Sequence, residues 1–132
     1  MIKVFLGGTC NNSNWREKLI SLLEPTVNYF DPRVKDWDEE AQQKELEERR
    51  TCDFCLYVIT PEMTGVYSIA EVIDDSNKRP QKTLFCYLPE GRYKKFTKGQ
   101  LRSLYNVKKM VDRNGGNTFD SLQEIANFLN NI

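Results

Sequence analysis

Five short apolar runs alternate with five helix-forming stretches along this chain, and that alternation narrows the fold more than any other feature. The apolar runs are Ile2–Leu6, Val27–Phe30, Asp53–Ile59, Lys82–Tyr87 and a brief Asn117–Phe119, each followed by turn-forming residues. Between them lie helical patterns. Leu19, Ile20, Leu22 and Leu23 recur at helical spacing until Pro25, after a cluster of capping residues at Asn11, Asn12, Ser13 and Asn14. Asp38–Arg50 is charged and rich in Glu and Gln, with Ala41 and Leu46 as its apolar content, so most of it is expected to face water or a partner. Ser68–Ile73 opens another helix, and Ser68 with Glu71 reads as a capping box. Thr97–Val111 and Ser121–Leu129 complete the set. Strand–helix alternation of this kind predicts a five-stranded parallel sheet with helices on both faces, a flavodoxin-like or Rossmann-like three-layer α/β sandwich. No repeat or linker interrupts the 132 residues, so one domain over 1–132 is expected.

Composition removes several kinds of chemistry. Histidine is absent, so no imidazole acts as base, nucleophile or metal ligand, and carboxylates, Lys, Tyr and Cys are left for proton transfer. Neither G-x-G-x-x-G nor G-x-x-x-x-G-K-[ST] occurs, so a dinucleotide fingerprint and a P-loop are both missing. No apolar run approaches the roughly 20 residues of a membrane span, and the opening MIKVFLGG does not read as a signal peptide. A cytoplasmic protein with reduced thiols at Cys10, Cys52, Cys55 and Cys86 is the expectation. Cys52 and Cys55 form a C-x-x-C that leads into a buried strand rather than opening a helix, and no second pair completes a four-Cys zinc site. Core thiols are favoured, and neither metal nor cofactor is expected.

In an open parallel sheet, ligands bind beyond the carboxyl ends of the strands. There the sequence places Gly7, Gly8, Thr9 and Cys10 after the first run, Asp31 and Pro32 after the second, and the Thr60–Glu71 segment after the third. Gly7 and Gly8 let a ligand approach the backbone closely, and a plain tight turn explains them equally well. Asp31 suits a base or ribose contact, or the cap of the turn that Pro32 begins. Ser68 suits sugar or phosphate at a helix start, with capping the stronger reading. A carboxylate at Glu71 has the position of a nucleophile toward a sugar carbon; the pattern alone favours a capping role.

Taken in order, Lys3 to Thr9 (KVFLGGT), Trp15-Arg16, Tyr29 to Pro32 (YFDP), Trp37, Glu45-Leu46 eight residues before Asp53, and Tyr67 to Glu71 (YSIAE) resemble the nucleoside 2-deoxyribosyltransferase family, in particular its small divergent branch. The resemblance implies a flavodoxin-like fold and cleavage of a deoxynucleoside N-glycosidic bond through a covalent deoxyribosyl–enzyme intermediate. It implies that Glu71 is the nucleophile and that Glu45 assists the departing base. A nucleobase then accepts the sugar; in hydrolytic relatives water does so on a nucleotide. Three positions depart from the family pattern: Phe5 where a Tyr is frequent, Gly65 where many members carry Asp, and Tyr67 in place of a glycine. Tyr67 is a candidate to supply the missing phenol. The departures also motivate an alternative, a nucleotide-binding module without turnover.

Charge is segregated although Lys plus Arg and Asp plus Glu are each 19. Between Lys78 and Lys109 stand ten basic residues against Glu90 alone, whereas Asp38–Arg50 holds six acids and three bases. Aromatics interleave with bases at Arg92–Lys98, but a solvated loop and helix face is the favoured reading, so nucleic acid is not expected as a partner. Complementary charge between copies, together with the oligomeric habit of the family, points to a homodimer or larger homo-oligomer.

Overall fold

A computed structural model describes all residues from Met1 to Ile132. In chain order the elements are β1 (Ile2–Gly8), α1 (Trp15–Leu22), β2 (Val27–Phe30), α2 (Glu39–Thr51), β3 (Phe54–Ile59), α3 (Tyr67–Lys78), a 3-10 turn (Pro80–Lys82), β4 (Thr83–Tyr87), α4 (Lys98–Arg113), β5 (Asn117–Phe119) and α5 (Leu122–Asn130). All strands are parallel and lie in the order β2-β1-β3-β4-β5, the flavodoxin-like arrangement.

The side-chain period of two splits each central strand between two cores. Val4, Leu6, Leu56, Val58, Leu84 and Cys86 point to one face, where Trp15 and Leu19 of α1 and Ile125, Ala126 and Leu129 of α5 cover them. Phe5, Cys55, Tyr57, Ile59 and Phe85 point to the other, against Val72 of α3 and Leu104 and Val111 of α4. Helix α2 differs from all of these: its buried residues are Glu48 and Arg49, while Leu46 stays exposed. Asp38 caps it, its carboxylate accepting the Ala41 N–H at 2.8 Å. Glu48 pairs with Lys3 of β1 at 2.9 Å.

Several local expectations need correction. β1 does not end at Leu6 but runs through Gly8, which adopts φ +115° because its backbone lies directly on that of Val58; any Cβ there would collide with it. Gly7 is packed against the Phe5 and Tyr57 rings, which a Cβ there would meet at 2.8 Å and 2.7 Å. The capping box does not form at Ser68 and Glu71. α3 starts earlier, with Val66 as cap residue, and the Ser68 hydroxyl donates instead to the Gly8 carbonyl at 3.3 Å. A capping box does form at Thr97 and Gln100, opening α4. Arg16, read as an exposed helix residue, is buried. Its Nε donates to the Leu6 carbonyl at 2.9 Å and its Nη1 to the Thr9 carbonyl at 2.6 Å, so it satisfies the carbonyls of the β1–α1 loop. Cys52, Cys55 and Cys86 are buried free thiols, and burial pushes each up to about 12. No helix is long and apolar enough to cross a membrane.

Candidate active site

The chain leaves β1 toward one face of the sheet and β3 toward the other, and these two strands are neighbours. Their connections therefore part above the sheet and open a crevice at its carboxyl edge. A cavity of about 390 Å³ occupies it, with Cys10, Arg33, Trp37, Glu45, Tyr67 and Glu71 among its walls. A smaller hollow of about 170 Å³, walled by Gly8, Thr9 and Gly65, adjoins it across Cys10, Asn11, Tyr67 and Ser68. Gly65 has open space where its Cβ would be, so the residue missing at that position leaves room in the hollow.

Glu71 sits in the second turn of α3 with a side chain 7% exposed. Its Oε2 is buried and makes no hydrogen bond, although Nη1 of Arg49 stands 3.6 Å away. Burial raises the carboxyl to about 7; Arg49 opposes the rise, and the charges of Glu45, Asp75 and Asp74 add to it. Glu45, on α2, is half-buried, and burial raises it too, against the pull of the Trp37 indole, Arg49 and Arg16. Two carboxyl groups thus face one cavity, each holding its proton more tightly than a free carboxyl. Trp37 and Tyr67 stand half-exposed at the rim.

The other predicted residues have diverse settings. Thr9 and Gly8 line the smaller hollow, and the Thr9 hydroxyl accepts the Thr60 N–H at 2.8 Å, tying the two loops together. Ser68 and Tyr67 border both hollows. Gly7 lies below them and lines neither. Asp31 stands behind the wall: Arg33 grips it, with Nη2 2.6 Å from Oδ2, and Arg16 lies 3.6 Å away. Although burial works in the opposite direction, these guanidinium groups hold Asp31 below its ordinary range. Its interactions are with the wall, and Arg33 is the residue it presents to the cavity. Sequence reasoning missed Arg33 and Arg49. The signal for Arg49 is its spacing: Glu45 and Arg49 are four apart on α2 and share a helix face.

The fold is a doubly wound α/β sandwich, and the crevice at its switch point carries two carboxyl groups, Glu45 and Glu71. The family model described as "nucleoside 2-deoxyribosyltransferase like" matches residues 1–88, two-thirds of the chain, and the chain belongs to that family. The matched segment ends just after β4 and contains every wall residue named above. No curated protein and no solved structure matches the chain.

Proposed function

We propose that this protein is a pentosyl-transferring enzyme that cleaves the N-glycosidic bond of a deoxynucleoside or deoxynucleotide. The observation that carries the reading is the Glu71 Oε2 atom: buried, without a hydrogen-bond donor, and part of a cavity that Glu45 also lines. An oxygen in that state has a free lone pair to direct at an electrophile; Glu62 Oε2 is likewise buried without a donor, but it lines neither hollow.

The proposed chemistry follows the retaining-glycosidase pattern. Ionised Glu71 stabilises the oxocarbenium character that develops at C1′, and its Oε2 then bonds to that carbon as the C1′–N bond breaks. The electron pair leaves with the base, which takes its proton from Glu45. A second nucleobase, acting as acceptor, attacks C1′ and releases Glu71, while Glu45 recovers the proton. Water as acceptor turns the same site into a deoxynucleotide N-glycosidase. Trp37 and Tyr67 offer aromatic faces for the base at the rim, and Gly8, Thr9 and Ser68 border the space for sugar or a 5′ substituent. Gly7 and Asp31 contribute to binding from beneath and behind these walls.

Homo-oligomerisation is part of the same proposal. Val34, Trp37, Leu46 and Val66 are exposed on or beside the cavity rim and α2, and the acidic outer face of α2 complements Arg92, Lys94, Lys95, Lys98 and Arg102, which have no acidic partner within 4 Å. Light scattering should give at least a dimer mass.

The decisive experiment is incubation with a panel of deoxynucleosides and deoxynucleotides plus a second base, read by chromatography. Released base or exchanged product, lost in Glu71→Ala, is the expected result. No product across the panel, with ligand-induced rise in Tm retained, would instead establish a binding module.

A further inference from the structure

Glu71 is not alone beneath its cavity. It and Asp75 lie one turn apart on α3, and both face Arg49, which reaches across from α2 with a side chain 4% exposed. The guanidinium is divided among three acids. Its Nε donates to Asp75 Oδ2 at 3.3 Å, and its Nη2 donates to Asp75 Oδ1 at 2.8 Å and to Asp74 Oδ2 at 3.0 Å. Only Nη1 is turned to Glu71, and it stops at 3.6 Å. Asp75 is fully buried and is itself fixed from two sides, by the Tyr57 hydroxyl of β3 and by Arg79, whose Nη2 stands 2.7 Å from Oδ1.

We propose that Arg49 is the positioning residue of this site: anchored on Asp75, its guanidinium favours the ionised form of Glu71 and aims the carboxylate while leaving the reacting oxygen free of a hydrogen bond. The catalytic half of this inference rests on Glu71 being the nucleophile; the electrostatic half does not.

Three observations support it. Arg49 is the only cation within 4 Å of Glu71, whose other charged neighbours, Glu45 on α2 and Asp74 and Asp75 on α3, are all acids. Tyr57 of β3 faces the same cluster, and Arg33, across the cavity, is committed to Asp31 and Glu17. Second, within the ion-paired group Arg49, Arg79 and Lys78 meet Asp74, Asp75 and Glu71, and Glu45 adds one more acid on the cavity side. Without Arg49 the acids around Glu71 outnumber the cations further, and Glu71, whose carboxyl burial already raises, takes up a proton more readily. Third, arginine has the necessary shape. Its planar fork grips Asp75 with two nitrogens and still presents the third to Glu71, which a lysine ammonium on one flexible stem cannot do. A hydrogen bond to Oε2 would stabilise the anion at the expense of its lone pair; a 3.6 Å approach supplies charge without that loss.

The test is a carbon-13 NMR titration of glutamate-labelled protein, with the Glu71 signal assigned through Glu71→Gln. The wild-type midpoint should lie near 7. Arg49→Met should raise it by about one unit or more, and Arg49→Lys by less. Asp74→Asn, at a half-exposed position, removes a neighbouring negative charge and one competitor for the guanidinium, and should lower it. An unmoved midpoint in Arg49→Met overturns the proposal. Should that variant not fold, Arg49→Lys decides, with a raised midpoint supporting the proposal and an unmoved one overturning it. In turnover assays the acid limb of the kcat profile should move with the NMR midpoint, a loss of about fivefold near pH 7 for a one-unit rise in Arg49→Met. A merely structural arginine would scale kcat at every pH without moving the limb. Absence of turnover in the wild type removes the enzymatic reading while the NMR result stands.

Discussion

The two faces of the sheet are covered in opposite ways. On one, α1 and α5 bury apolar side chains against Val4, Leu6, Leu56, Val58 and Leu84, and the contact is mostly hydrophobic area, with Arg16 at the top of α1 bonded to backbone carbonyls. On the other, α3 and α4 do the same over Phe5, Tyr57 and Phe85, but α2 reaches its neighbours through Glu48 and Arg49. A helix held by ion pairs needs those pairs to be complete, because each buried charge left alone costs several kcal/mol. An apolar helix pays no such penalty, and it also presents no chemistry. The difference teaches why the site is where it is. The crevice above β1 and β3 borders the face on which buried carboxylates and Arg49 are assembled, and Glu71 and Glu45 are at its edge.

The contrast can be broken most forcefully at Asp75. Asp75→Ala leaves Arg49, Arg79 and the Tyr57 hydroxyl without their common acceptor, and should destabilise the protein by about 3–5 kcal/mol in urea unfolding. A cost under about 1 kcal/mol would mean that the charged face is not held by this pair. On the apolar face, Leu19→Ala should cost about 2–5 kcal/mol, toward the lower end if α1 can settle onto the cavity. Its effect should be independent of pH and salt, unlike that of Asp75→Ala.

Glu71 sharpens the comparison in the opposite direction. Its carboxyl is raised from the ordinary 4.5 to about 7, so the folded state binds that proton more tightly than the unfolded chain. The stability it contributes is complete below about 4.5 and is lost as pH rises through 7. Glu71→Gln should abolish this decline and, above pH 7, exceed the parent in stability by about 1–2 kcal/mol. Thermal melts of both proteins from pH 4 to 8 would show it, and parallel curves would contradict the burial argument. The smallest effect belongs to the outer surface of α2: Leu46→Ala, at an exposed position, should change the stability of the isolated chain by less than about 0.5 kcal/mol. A larger loss that depends on protein concentration would place this surface in the proposed oligomer contact.

Much of this molecule was legible in its residues. The alternation of apolar runs and helical stretches yielded all five strands and five helices in order, with boundaries off by one to a few positions, because period two and period 3.6 are properties of short windows. Buried Cys52, Cys55 and Cys86 followed from the strands around them. The carboxyl edges of β1 and β3 were legible as the place of the cavity, since topology dictates it. Other assignments failed for an identifiable reason. Ser68 has the spacing of a cap, yet the nearby Gly8 carbonyl claims its hydroxyl. Arg16 looks like any surface arginine until β1 and the loop behind it bring the Leu6 and Thr9 carbonyls against its guanidinium.

By itself, then, the sequence determined the layering, the strand order's plausible range, the acidic and basic segments and the family. Tertiary structure alone decided that Arg49 meets Asp75 and Glu71 rather than water, that Asp31 is occupied by Arg33 and Arg16, and that the Glu71 carboxyl holds its proton near neutrality. The division has a physical cause. Propensity and periodicity act between residues a few positions apart, whereas desolvation and ion pairing depend on what the closed chain brings within a few ångströms of each charge.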